Sequence, residues 1–294
     1  EVDDGVDHLL VPVPVIPSAW PEASELNPFV RYRDLMYPAR LARALGLSDA
    51  QYCDLVRSLD EAVARVDGAG FRETPLVSAD DLGPRVWVKN ETSHVGGSHK
   101  ARHLMGVMLA LKVRELAGHP DSQRLAIASC GNAALGAAVI ARAADRAIDV
   151  YIPEDAQASV VARLKDLGAN LNVCRREGAE LGDPCMSAFR AAVAQGSIPF
   201  SVQGPENGLV VEGGCTIGWE MVDQLARLKR TPSAVYIQVG GGALASGICE
   251  ALLVAHRAGR LEDLPVVHTV QTQSGHPLKR AFERVKDLSE RSTL

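Results

Sequence analysis

Aromatic residues are scarce in this sequence, at 4 % of 294 residues. That leaves little from which to build a base-stacking surface for nucleic acid. A basic excess is missing too: 31 Lys plus Arg against 36 Asp plus Glu give a formal charge of -5, which favours neither a polyanion nor an anionic membrane. The longest clean apolar stretch, Ala133 to Ala141, is far too short to cross a bilayer. The six cysteines (Cys53, Cys130, Cys174, Cys185, Cys215 and Cys249) form no CxxC pair and have no histidine partners at zinc spacing. They read as reduced, mostly buried thiols of a cytoplasmic protein, with no disulfide scaffold and no metal site. The chain opens at Glu1 without the basic, apolar and small-residue pattern of a signal peptide, and 294 residues is taken as a lower bound on its length.

What is present is an ordinary globular composition, 47 % apolar and 23 % charged, in a chain long enough for about two domains of roughly 150 residues. Residues 8–30 carry five prolines and read as an extended arm wrapping a surface. Ser48 is placed to cap a helix in which Leu55, Val56, Leu59, Val63 and Val66 recur at helical spacing. Beyond a strand at Arg85–Lys89 the pattern alternates. Strands are expected at Leu125–Ala128, Asp149–Ile152, Asn170–Val173, Ile198–Val202, Ala234–Val239 and Val266–Gln271. Helices are expected at Arg102–Ala117, Ala133–Ala144, Ala158–Leu167, Pro184–Ala194, from Gly213 to Leu228, Ala245–Ala258 and Pro277–Leu288. Short apolar strands alternating with helices of this length mean βαβ units, so the fold class is α/β, with mainly parallel twisted sheets covered by helices on both faces.

In such sheets ligands bind beyond the carboxyl ends of the strands, where helix N-termini point at them. Three loops occupy such places. Gly240-Gly241-Gly242-Ala243-Leu244 can turn its N–H groups inward to cradle a phosphate, although a tight strand–helix turn has the same look. It is no Walker loop, since no Gly-Lys-Ser/Thr follows, and no acidic residue ends the next strand as a dinucleotide fingerprint requires. Ser129-Cys130-Gly131-Asn132 leads into a helix: Ser129 can cap it, the next N–H groups can take an anion such as a carboxylate, and Asn132 offers a donor and an acceptor. An ordinary capped turn reads the same way. The third loop, residues 89–102, ends with Lys100 at a helix start, where the dipole disfavours an ammonium and favours the neutral amine that a Schiff base needs.

Together, Gly97-Ser98-His99-Lys100-Ala101-Arg102, Ser129-Cys130-Gly131-Asn132 and Gly240-Gly241-Gly242-Ala243-Leu244 resemble, in this order, the fold-type II pyridoxal-phosphate enzymes. That superfamily includes threonine synthase, serine/threonine dehydratase, cysteine synthase and the tryptophan synthase β chain. Thr74-Pro75-Leu76 resembles its entry segment, and Val150 to Ala156 with Lys165 to Ala169 resembles its second small-domain βα unit, so the likeness covers about residues 72 to 275. The resemblance implies pyridoxal 5'-phosphate bound in a cleft between two domains. Lys100 would be the Schiff-base lysine and later the proton-transferring base. Gly240, Gly241, Gly242, Ala243 and Leu244 would hold the phosphate through backbone N–H groups, Ala243 standing where a fourth glycine is common. Asn132 would bond the pyridine 3'-oxygen, and Ser129, Cys130, Gly131 and Asn132 would receive the substrate carboxylate. His99 replaces the aromatic residue that many members carry there, and would either donate to the phosphate or simply pack. Members also place a Ser, Thr or Cys against the pyridine nitrogen; no motif here matches it, and its strand is expected beyond residue 294.

The expected activity is that of a lyase performing α,β-elimination on a serine- or threonine-like amino acid. The alternatives are β- or γ-replacement, as in threonine synthase or cysteine synthase, and a catalytically silent cofactor-binding scaffold. The expected partners are an amino-acid substrate and a second copy of the chain in a homodimer, with no nucleic acid and no membrane. Residues 92–203 are expected to form a smaller mobile domain, inserted into a larger one made of 1–91 and 204–294. Asn27 to Tyr32 and the helix start Glu212 to Thr216 carry no evident chemistry, although the latter is placed to line the site.

Overall fold

A computed structural model describes residues 13–21, 25–176 and 182–291; the remainder of the expected N-terminal arm lies outside the described residues. Short helices α1 (Pro28–Arg31) and α2 (Tyr37–Ala44) precede α3 (Asp49–Asp67). Ser48 caps α3 as expected: its hydroxyl accepts from Gln51 N at 3.2 Å while the Gln51 side chain accepts from Ser48 N at 2.9 Å. An antiparallel pair, β1 (Leu76–Ser78) and β2 (Trp87–Lys89), leads through a tight turn into α4 (Lys100–Leu116).

The alternating stretch follows: β3 (Leu125–Ala128), α5 (Asn132–Ala143), β4 (Ile148–Pro153), α6 (Ala158–Asp166), β5 (Asn170–Cys174), α7 (Pro184–Ala194) and β6 (Ile198–Pro199). The four strands form one parallel sheet in the order β5-β4-β3-β6. After α8 (Val210–Arg227), β7 (Ala234–Gln238) and β8 (Val266–Val270) pair in parallel across α9 (Ala243–Arg257), and α10 (Pro277–Arg291) follows. The α/β class therefore holds, with α8 and α9 stacked on one another beside the β7–β8 pair.

Two elements differ from the sequence reading. β6 spans two residues and not five: the N–H groups of Ile198 and Phe200 bond the carbonyls of Arg124 and Ala126 at 2.9 and 2.8 Å, and the Ser201 hydroxyl then accepts from Gln203 N at 3.3 Å, turning the chain away. α8 starts three residues before Gly213, and its glycines are interior. A Cβ on Gly213 would fall 2.3 Å from the Arg102 carbonyl oxygen, and one on Gly214 would fall 2.3 Å from Cε1 of His103. These two glycines let α8 lie directly on α4, which outweighs the ~1 kcal/mol that each costs inside a helix.

Asn27 to Tyr32 also acquires a purpose. Asn27 caps α1 by accepting from Phe29 N at 2.9 Å. Arg31 then donates to Asp223 of α8, as do the Tyr32 hydroxyl and Trp20 Nε1, both at 2.8 Å, so that one carboxylate pins the N-terminal segment to the core. Among the described residues no helix is long and apolar enough to cross a membrane. The six cysteines are free; Cys53, Cys185 and Cys215 are buried, Cys174 is half-buried, and Cys130 and Cys249 are exposed.

Candidate active site

A cavity of about 320 Å³ opens where the carboxyl ends of β3, β6 and β7 meet the N-termini of α4, α5 and α9. Its size falls within the usual range for small-molecule sites, roughly 300–1,000 Å³. The three loops singled out by sequence converge on it: Lys100 and His99 from one side, Ser129 and Asn132 from a second, and Gly240 to Leu244 from a third.

Lys100 is the first residue of α4 and half-buried. Burial lowers its ammonium from the usual lysine range, and no described residue bonds to its Nζ. An amine held there, at the positive end of a helix, is inclined to the neutral form. Two residues on, Arg102 is fully buried and fully engaged. It reaches Glu91 Oε2 at 2.8 Å, Glu220 Oε1 at 2.6 Å and Thr216 Oγ1 at 3.1 Å. Lys89 joins the same hub, donating to Glu220 Oε2 at 2.5 Å, to the Thr74 carbonyl at 2.7 Å and to Gln224 Oε1 at 3.0 Å. Burial works to raise Glu220, but the charges of Arg102 and Lys89 hold it below the usual carboxylate range. This hub ties the start of α4, the Thr74-Pro75 segment and α8 into one rigid block beneath Lys100.

The glycine loop fits a phosphate. Gly242 caps α9 with a left-handed φ of 91°, and the first-turn N–H groups of α9 have no acceptor within the helix. Nothing lies within 4 Å of where a Cβ on Gly242 would sit; on Gly240 and Gly241 the nearest atoms would be Gln238 Nε2 at 3.9 Å and Gln203 Cγ at 4.0 Å. The loop thus presents bare backbone to open space at a helix N-terminus, the arrangement that anions take.

The second loop departs from expectation in one respect. Gly131, not Ser129, is the N-cap of α5; Ser129 continues the strand pairing, its N–H bonding the Tyr151 carbonyl at 3.2 Å, and its hydroxyl accepts from Gly131 N at 3.4 Å. Ser129 and Asn132 line the cavity, whereas Cys130 and Gly131 are not among the lining residues and Cys130 is exposed. Of the motifs left open, Glu212 is buried away from the cavity, accepting from Tyr37 N at 2.7 Å and 2.8 Å through its two oxygens.

Sequence reasoning missed the far wall, formed by Ser201, Val202 and Gln203 after β6 and by Gln238 at the end of β7. The strand-end rule that found the other loops applies equally to β6, so the signal was available. Among the described residues no group of three or more His, Cys, Asp or Glu is placed to hold a metal.

A family model described as "Pyridoxal-phosphate dependent enzyme" matches residues 69–294. The mouse (Mus musculus) protein "L-serine dehydratase/L-threonine deaminase" is 25 % identical over 218 residues, 73 % of this chain and 61 % of that protein. The tryptophan synthase beta chain of Streptomyces coelicolor is 28 % identical over 233 residues, covering 74 % of this chain and 53 % of the relative. The crystal structure of a threonine deaminase from T.th. superposes with a TM-score of 0.59 at 28 % identity, covering 78 % of this chain and 68 % of that one. The chain thus spans about three fifths of the length of the curated relatives it matches.

Proposed function

The chain belongs to the family of pyridoxal-phosphate dependent enzymes, and from that premise we propose that it is an ammonia-lyase of the dehydratase type, acting by α,β-elimination on a serine- or threonine-like amino acid. One observation carries the reading: an amine without a partner, Lys100, shares a cavity with a bare glycine cradle and a second helix N-terminus. The cofactor supplies, when bound, a carbonyl with which Lys100 condenses and a sink for the electrons left at Cα once its proton has gone. Gly240, Gly241, Gly242, Ala243 and Leu244 hold the phosphate through their N–H groups. Asn132 orients the ring through its side-chain amide. The Ser129 hydroxyl and the N–H groups at the start of α5 bind the substrate carboxylate, with Cys130 and Gly131 shaping that turn. Lys100, its ammonium disfavoured by burial and the α4 dipole, would take the α-proton once its amine is free again; the β-substituent would leave with a proton, and water would hydrolyse the resulting enamine to a 2-oxo acid and ammonia.

The same reading makes residues 92–203, which contain the whole four-stranded sheet, a smaller mobile domain closing over the substrate. It also makes the protein a cytoplasmic homodimer, consistent with six free cysteines; light scattering tests the assembly. Replacement chemistry is the second reading, supported by the likeness to the tryptophan synthase beta chain.

Incubating the purified protein with pyridoxal phosphate, then with serine, threonine, O-phosphohomoserine or O-acetylserine, separates these. Elimination gives a 2-oxo acid and ammonia in stoichiometric amounts; a β- or γ-substituted product without ammonia favours replacement. A visible band that borohydride abolishes in wild type and that Lys100→Ala lacks supports the lysine assignment. A band with no turnover of any substrate leaves only a cofactor-binding scaffold, and no band at all defeats the reading.

A further inference from the structure

His99 and His103 stand one turn apart at the start of α4, and of the two only His99 lines the cavity. His103 is fully buried, its Nδ1 lying 2.6 Å from the carbonyl oxygen of Val210. A carbonyl only accepts, so this nitrogen carries the hydrogen. The other ring nitrogen, Nε2, lies 3.3 Å from Nδ1 of His99. Burial, which for His103 outweighs the opposing hydrogen bond to Val210, pushes His103 down to about 4 and His99 to about 3, so both rings are neutral near pH 7. A neutral imidazole with its hydrogen on Nδ1 has a bare Nε2. His103 Nε2 therefore accepts, His99 Nδ1–H donates, and the remaining nitrogen of His99 has a lone pair and no hydrogen.

The packing fixes this relay in place. α8 lies against the His103 ring so closely that a Cβ on Gly214 would sit 2.3 Å from Cε1 and 3.1 Å from Nε2. Val210, which receives the relay's last hydrogen bond, is the first residue of the same helix. The two glycines that bring α8 onto α4 thus also set the ring that orients His99.

We propose that His103 is a positioning residue that fixes the tautomer of His99, presenting a hydrogen-bond acceptor at the cavity wall beside Lys100. An acceptor there attracts a donor, an Nζ–H of Lys100 or the amine of an incoming amino acid, and gives nothing to a fully ionised phosphate oxygen. His99 then serves the amine side of the site and not the phosphate side, the opposite polarity to the donor implied by the family resemblance. The identity of what His99 meets rests on the function proposed above; the tautomer does not.

Long-range ¹H–¹⁵N spectra of the protein near pH 7.5, with and without added pyridoxal phosphate, read the tautomer directly, His99 being assigned by its loss in His99→Gln. Wild type is expected to show His99 with hydrogen on Nδ1 and a bare Nε2. His103→Leu removes the acceptor and is expected to switch His99 to the Nε2–H tautomer. In His103→Gln the amide oxygen accepts and the amide N–H donates to Val210, so the wild-type tautomer is expected to return. Hydrogen on Nε2 in wild type, or an unchanged tautomer in His103→Leu, overturns the proposal; if that variant does not fold, wild type and His103→Gln decide it. Failure of the cofactor to bind would defeat the proposed function and leave the tautomer readout intact.

Discussion

Lys89 and Lys100 both lie half-buried, eleven residues apart on either side of one loop, yet their surroundings are opposite. Lys89 has three oxygen partners within 3.0 Å, one of them the carboxylate of Glu220. Lys100 has none. A buried cation with its partners in place is a structural tie whose removal leaves an orphaned charge. A buried amine with no partner brings the fold no bond; what it offers is a reactive lone pair. Arg102 extends the contrast within a single helix: one turn of α4 holds both the free amine and a guanidinium with every arm engaged. The lower half of this region is rigid so that the upper half can be chemically available.

The largest effect should come from the free amine. On the proposed function, Lys100→Ala is expected to lower turnover by at least ~10³-fold, since it would remove the covalent anchor and the proton acceptor together. Because no bond is lost, the urea midpoint should move by no more than about 0.5 kcal/mol equivalent, or rise. A large loss of stability would show that Lys100 has a structural partner after all. The next effect lies on the other side of the comparison. Glu220→Gln takes from Lys89 its one carboxylate partner among the described residues and leaves Arg102 with Glu91 alone, and an uncompensated buried charge costs about 3–5 kcal/mol. Equilibrium unfolding measures it; a cost under about 1 kcal/mol would mean that the hub is not the tie described here.

This contrast also marks where the sequence was legible. The α/β alternation, the Ser48 capping box and the three converging loops are local patterns: periodicity, a cap, glycines after a strand, a lysine at a helix start. What stayed hidden depends on distant partners. Nothing near Asn27 to Tyr32 announces that Asp223, about two hundred residues away, will gather Trp20, Arg31 and Tyr32. Gly213 and Gly214 look like a helix start until α4 is known to lie against them. Ser129 reads as a cap because its residue type suits one, but the strand ladder holds it two residues too early in the chain. Ser201 and Gln203 could have been named, since β6 ends at the same edge as β3.

A third test concerns acid. His94, His99 and His103 are pushed down to about 2, 3 and 4, chiefly by burial. Below pH ~6.5 the unfolded chain binds protons that the folded chain refuses. Stability is therefore full above that pH and falls as the pH drops towards 4, by about 1.4 kcal/mol per pH unit for each histidine. His103→Gln should remove one proton from that slope while sparing the hub below it. An unchanged slope would mean that His103 titrates normally in the fold.

The smallest effect separates backbone from space within the cavity itself. Gly242 sits at φ 91°, where a side chain is strained however much room surrounds it, and Gly240 has no such constraint. Gly242→Ala should therefore lose about 1 kcal/mol of stability and also bind the cofactor more weakly, because the cap of α9 must shift. Gly240→Ala should keep its stability, since the added methyl meets only Gln238 Nε2 at 3.9 Å, yet still weaken cofactor binding by filling the cradle. Titration of each protein with pyridoxal phosphate, followed by its visible band, measures the second quantity, and urea unfolding the first. Equal affinity in wild type and Gly240→Ala would mean that the phosphate lies elsewhere, and Lys100 would then be a free amine without the cradle that gives it a purpose.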